Sequence, residues 1–466
     1  MRNSKGLRAV ILLSLGCADP VSPPDVADRP ELSEESVVAL ETNVLGVTFT
    51  VRTRNTDSVI VHFTSAGSSF DGAENAPAVK AVDGSAVVPV LGLHPNRNYH
   101  FRATAFGPRG QTTGTVMFHR TGLLPLDLPS YTGSGSDPSD GYVVFAAGRY
   151  GVVIDNTGRV VWYHRFTYGA GLSFAAQPNG HYVARPVTEN PSGRDPWVEI
   201  DVTGGIVRTR GCANELSPRQ HDLLIDKAGG HWLLCDEVRT MDIRSVGGIE
   251  DAIVTGTAVQ HLNESGKLVF GWSSFDHFDI TDGEPTDRVG QHVNWTHGNA
   301  IDIDAEGRLL VSFRNLNEIT SIDTVSGAVL WRMGGRRNQF TFLNSDAVPF
   351  WGQHSIRSAT NGEIMLLDNV GRPEESRAES YVINAVARTA TLSGDYGSAP
   401  PVWTRTGGSV QRLPGNRTLA SFGAAGRVEE YDASGKVVWK LDGNPGYVFR
   451  AQRIRSLYHP GVGTSR

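Results

Sequence analysis

Three histidines stand at matched places in this chain. His221, His297 and His354 lie 9, 10 and 8 residues ahead of Gly230, Gly307 and Gly362, in the stretches HDLLIDKAGGHWLL, HGNAIDIDAEGRLLVS and HSIRSATNGEIMLL. Each stretch reads as a strand, a turn built on the glycine, and a second apolar strand. A lone histidine is more often structural than functional. Three at equivalent repeat positions are seldom aligned by chance, so they are expected to open the innermost strands of successive repeats and to face one channel mouth.

Other polar groups fall at the same level. Asn299 follows His297 by two residues, which on a strand puts both side chains on one face. Arg314 closes the next strand, LLVSFR, where a hairpin return brings it beside His297. Gln353 points to the opposite face from His354 and reads as a packing partner. Three imidazoles, a guanidinium and a carboxamide, with no carboxylate required, make a site suited to an anion. The remaining histidines take ordinary roles. His62, His94, His100 and His119 fall in a separate N-terminal segment, and His164, His181, His231, His261, His277 and His459 sit among surface-like or edge residues. His292 supports His297.

The positioning elements repeat. An apolar-Asp or apolar-Asn pair, a turn and a β-rich run recur as IDNTGRVVW (154–162), IDVTGGIVR (200–208), LNESGKLVFGW (262–272), IDTVSGAVLW (322–331), INAVARTATL (383–392) and YDASGKVVW (431–439). A second phrase interleaves with it: QPNGHYVA, DKAGGHWLL, DAEGRLLVS, ATNGEIMLL and LPGNRTLAS. Six units, none able to bury its own sheet face alone, predict a six-bladed β-propeller over 125–455. No segment sustains a 3.6-residue apolar period, so the class is all-β.

Ahead of the repeats, residues 31–122 alternate as short strands (VTFTVRT, SVIVHFT, YHFRATAF) between turns, which predicts a small β-sandwich. In it, LHPNRNY (93–99) is spaced like the tyrosine corner of fibronectin type III domains. Residues 1–17 carry a basic head, a short apolar run and Gly16-Cys17, the layout of an export signal with a lipoprotein-type cysteine. The expectation is a periplasmic or cell-surface lipoprotein lipidated at Cys17, or otherwise a secreted protein. A Pro- and Asp-rich tether spans 18–30. Cys212 and Cys235 then remain as a disulfide or as two buried thiols. With 49 acidic against 43 basic residues the chain has no nucleic-acid signature, and membrane contact is expected only through the lipid.

WGQHSIRSATNGEIMLLDN with ESYVINAVARTATL, THGNAIDID…LLVSFRN…ITSIDTVSGAVLWRMGG, and SVQRLPGNRTLASFGAAGRVEEYDASGKVVW together resemble the arylsulfotransferase family of bacterial exported proteins, over roughly 125–455. The resemblance implies a six-bladed propeller with its active site in the central channel. It also implies sulfuryl transfer from an aryl sulfate to a phenol without a nucleotide donor. By it, His354 corresponds to the nucleophile that becomes sulfated, and His221, His297, Asn299 and Arg314 to groups that hold the sulfuryl oxygens. No cofactor or metal is implied, and GxxxxGK[ST] is absent. Two other readings stand beside this one: a surface-anchored propeller that only binds, and a metal-dependent hydrolase using the three histidines. A homodimer is left open.

Overall fold

A computed structural model describes residues 28–190, 193–346, 348–359, 361–442 and 445–461. The expected leader with Cys17, and the tether up to residue 27, lie outside the described residues. What is described is all-β, with one short helix at Ser274–His277 and a few 3-10 turns.

Between residues 31 and 120 two sheets share one core. One contains Glu31–Ala39, Val47–Arg54 and Ser85–Val90; the other is built on Ser58–Ser65 and Asn98–Gly107. Alternation along Val47–Arg54 sends Val47, Phe49 and Val51 inward, where they meet Val59, Val61, Val88 and Phe101. The Tyr99 hydroxyl accepts the His94 backbone N–H at 3.0 Å, the tie expected of LHPNRNY.

Six sheets follow, each of at least four strands and antiparallel apart from two short parallel additions, His292–Asn294 in the third and Thr341–Leu343 in the fifth. Their inner strands are Ala451–Ile454, Phe174–Ala176, Ser217–Ile225, Gly298–Ile303, His354–Ser358 and Ser409–Leu413. The first of these comes from the end of the chain and pairs with Tyr142–Ala147. Thr132–Gly135 in turn adds to the sixth sheet, against Val437–Asp442. The two ends of the region are thus exchanged, which staples the first sheet to the last.

The repeated phrases are the hairpins. All six apolar-Asp/Asn phrases turn between the third and fourth strands, and the interleaved phrases turn between the innermost and second. The aspartate works locally: Asp155 Oδ1 accepts N–H groups from Thr157 and Arg159, and Asp432 Oδ1 those of Ser434 and Lys436. The glycine that follows has a left-handed backbone, as at Gly158 (φ 89°) and Gly435 (φ 84°). In INAVARTATL no glycine is present, and Arg388 takes that conformation instead (φ 55°).

Neighbouring sheets are tied by buried polar groups. The indole N–H of Trp162 reaches Val202 O at 2.8 Å, that of Trp197 reaches Arg219 O at 3.0 Å, and that of Trp439 reaches Asn156 O at 2.8 Å. These bonds link the first sheet to the second, the second to the third, and the sixth to the first. Cys212 and Cys235 form a disulfide (Cα–Cα 6.3 Å) that reinforces the second crossing. Two histidines assigned to the surface are in fact buried. His164 packs on Trp162 and Phe166, and His231 lies against Arg210; burial pushes both down to about 4.

Candidate active site

His221, His297 and His354 belong to the third, fourth and fifth sheets, and the fold brings them together. The rings of His221 and His297 lie 5.0 Å apart, edge to face. Phe449, just ahead of the chain-terminal inner strand, stands between the outer two, 5.6 Å from His221 and 6.0 Å from His354. His354 opens its strand and is 2% exposed; the other two rings keep part of their surface in solvent.

His297 is not on its strand. It precedes Gly298–Ile303 with a left-handed backbone (φ 48°), and the register slips between Gly298 and Ala300. Strand alternation therefore does not set its direction, and the expected shared face with Asn299 is corrected. The Asn299 amide instead donates to Gln353 O at 2.7 Å, just before His354, while its Oδ1 makes no hydrogen bond among the described residues. Gln353 is a buried packing partner, donating to Ser312, Phe313 and Glu318.

Arg314 arrives as expected from the hairpin return. Its backbone N–H donates to His297 O at 3.0 Å, and a 3-10 turn over Arg314–Leu316 sends the side chain away from the strand. Its guanidinium reaches Asn315 Oδ1 at 2.9 Å and Arg405 O at 3.3 Å, and its Nε makes no hydrogen bond among the described residues. Among the described residues no carboxylate hydrogen-bonds it, though Asp287 lies in its field, and its charge is felt by all three imidazoles.

Arg219, Asn369, Asp222 and the two arginines bound to Asp222 escaped the sequence reading. Arg219, 6% exposed, pairs with Asp236 yet keeps a buried Nε without a hydrogen bond. Asn369, at the far end of the strand paired with His354, accepts from His354 Nδ1 at 2.8 Å. Below the histidines, Asp222 takes Arg357 at 3.0 Å and Arg450 on its other oxygen, and accepts the Ile301 N–H at 3.1 Å. This carboxylate is fully engaged.

The electrostatics follow. Burial, then the charge of Arg219, holds His221 and His297 well below the usual range. Burial brings His354 down to about 4, against the upward pull of Asn369 and the Gly352 carbonyl, with Arg314 adding to the fall. All three rings are neutral at pH 7. The Asn294 amide donates to His297 Nδ1 at 2.7 Å, which leaves the proton of that ring on Nε2. Neutral donors and guanidinium charge together form a receptor for a tetrahedral oxyanion. Among the described residues no three His, Cys, Asp or Glu side chains are arranged to hold a metal.

Residues 213–444 match the family model described as Arylsulfotransferase (ASST), a segment that contains all five residues expected at the site. No curated protein matches the chain. Among solved structures, a protein of unknown function from Bacteroides caccae is 13% identical, with a TM-score of 0.44 over 68% of this chain and 100% of that one. A streptogramin B lyase is also 13% identical (TM-score 0.39, 72% and 88% covered). A catalytically inactive virginiamycin B lyase from Staphylococcus aureus, with quinupristin, is 11% identical (TM-score 0.38, 69% and 89%). These likenesses are too distant to bear on activity.

Proposed function

This chain belongs to the arylsulfotransferase family through residues 213–444, and we propose that it moves a sulfuryl group from an aryl sulfate to a phenol through a sulfated His354, without a nucleotide donor. The observation that carries this reading is the set of bonds on His354. Its Nδ1 is committed to Asn369, and its ring lies among two other neutral imidazoles and within the field of Arg314, whose guanidinium hydrogen-bonds only neutral oxygens among the described residues.

In the first half-reaction His354 Nε2 attacks sulfur in line with the departing aryl oxygen. The N–S bond forms, the S–O bond breaks, and a phenolate leaves. The transition state is loose and spreads charge over three sulfuryl oxygens, so positioning and electrostatics do most of the work. Arg314, His221 and His297 donate to those oxygens, and Asn299 adds only the amide hydrogen that it does not give to Gln353. The neutral imidazoles act as hydrogen-bond donors to the leaving phenolate. In the second half an acceptor phenol passes its proton to a neutral imidazole, its oxygen attacks sulfur, and the N–S bond breaks to restore His354. The imidazolium then returns its proton to solvent.

The wider architecture belongs to the same proposal. The six sheets are read as the blades of a propeller over 125–455, behind a fibronectin-III-like sandwich over 31–122. A tether over 18–30 and a lipidated Cys17 after the 1–17 signal would hold the protein at a membrane surface, periplasmic or extracellular. Incubation of the full chain with a chromogenic aryl sulfate, with and without added phenol, tests the activity. Phenol-dependent release supports transfer. Equal release without acceptor indicates a sulfatase, and no release indicates a binding module.

Arg314→Lys tests the anion receptor. Lysine keeps a charge but offers a compact ammonium in place of a planar fork. Transfer falls about 30-fold, near 2 kcal/mol, in line with the loss of one charged donor to a developing oxyanion. Unchanged turnover would make Arg314 a loop contact only.

A further inference from the structure

We infer that Asn369 is a positioning residue that fixes His354 in the tautomer with its proton on Nδ1 and its lone pair on Nε2. The inference rests on His354 being the nucleophile, and it adds what makes one particular nitrogen of that ring reactive.

The Asn369 amide has one orientation open to it. Asn369 is fully buried, and its Nδ2 donates to two backbone carbonyls, Thr404 O at 3.0 Å and Gly407 O at 2.9 Å. A carbonyl oxygen can only accept, so the amide nitrogen must face that pair. The usual ambiguity over which way an asparagine points is thereby removed. Oδ1 is left facing His354 Nδ1 at 2.8 Å. An oxygen acceptor at that distance requires a proton on the nitrogen. In a neutral ring the other nitrogen, Nε2, then carries the lone pair.

The carbonyls are themselves held. Ser376 donates its hydroxyl proton to Asn369 O at 2.7 Å, shared with Thr404 O at 3.3 Å, and accepts the Thr404 N–H at 2.8 Å. Thr404 donates to Thr406 O and accepts the Ala424 N–H, which braces the segment against the sixth sheet. The chain of command runs from this brace through Asn369 to the imidazole. The Gly352 carbonyl also lies against the ring. A proton placed on Nε2 in its place would leave two lone pairs, Nδ1 and Oδ1, facing each other at 2.8 Å. That arrangement is repulsive, and the amide cannot turn to relieve it.

The charged and titratable groups that face the ring are Arg314, Arg450, His221 and His297. None supplies an alternative acceptor to Nδ1. Asn369 thus sets the tautomer alone among the described side chains.

The test reads the tautomer directly, in full-length protein labelled with 15N-histidine, by two-bond 15N–1H correlation at pH 7. In the unsubstituted protein His354 is expected to show a protonated Nδ1 and a bare Nε2, and a proton on Nε2 would overturn the inference whatever the activity. Asn369→Ala is expected to mix the tautomers and lower kcat about 30-fold with KM within twofold. Asn369→Asp keeps the acceptor and, protonated on the oxygen that faces Thr404 O and Gly407 O, keeps a donor there, so the Nδ1–H signature is expected to survive with kcat closer to that of the unsubstituted protein than in Asn369→Ala. An Asn369→Ala protein that folds and keeps both the spectrum and kcat would also overturn it. A protein with the expected tautomer but sulfated on another residue would refute the nucleophile and leave the tautomer assignment standing.

Discussion

His354→Asn is expected to abolish transfer and to leave no sulfated protein. Loss of the attacking nitrogen is expected to lower turnover by about 10⁴-fold or more, the scale seen when a covalent nucleophile is removed. His221→Asn or His297→Asn removes one of several donors and costs about 3–4 kcal/mol at most. Mass spectrometry of protein mixed with an aryl sulfate and quenched without acceptor, under conditions that keep the N–S bond, separates the roles. A sulfuryl-sized adduct on the peptide containing His354 is the expected result. An adduct elsewhere, or full activity in His354→Asn, removes His354 from its role. The pH profile adds a second mark. The free base is present above about 4 rather than above the ordinary 6.5, so kcat/KM should hold from neutral pH down to about 5 and then fall. Stability moves with the same sign. The folded pKa is depressed, so the unfolded chain takes up protons first, and stability present above 6.5 is lost as pH falls through about 4. Near-UV circular dichroism at each pH tells the two apart.

Much of this site was readable because hairpins turn sequence spacing into spatial neighbours. The pairing of Gly298 with Phe313 brings Arg314 to His297, as the hairpin return predicts. The same logic applied to His354, which pairs with Leu367, points to Asn369 two residues on. The Asp-Asn ending of the strand was the visible cue. Asn299 was misdirected for a local reason: a left-handed His297 and a slipped register break the period-two rule before it can act. Arg219, Phe449 and Arg450 carry no such local signal. Arg219 is known only by its burial beside Asp236, and Phe449 and Arg450 enter from the end of the chain, more than 200 residues from His221. The exchange of Thr132–Gly135 and Ala451–Ile454 was equally hidden, since a four-residue run has no period to read.

The largest effect on stability is expected below the site, at Asp222. Its carboxylate is 2% exposed and lies where the inner strands converge. Arg357 crosses from the fifth sheet to bind it and also donates to Ile301 O of the fourth at 3.0 Å. Arg450 comes from the segment leading into the first sheet and also reaches His221 O at 3.4 Å. One carboxylate therefore joins four sheets beside the histidines. Charge explains why it cannot be spared. Burial already lowers Arg450 to about 10, and Arg357 adds repulsion that only Asp222 and Asp302 oppose. Asp222→Ala leaves two guanidiniums without this counterion and costs about 3–5 kcal/mol, the scale of a buried pair broken from one side. A drop in midpoint on the order of 5–10 °C follows for a region of this size. Asp222→Asn keeps the shape and an acceptor for the Ile301 N–H, so it should lose less. Calorimetry of the full chain reads both, and the two variants should fall in that order. An alanine variant that melts with the unsubstituted protein would show that the guanidiniums find other partners, and that the strands converge without the tie.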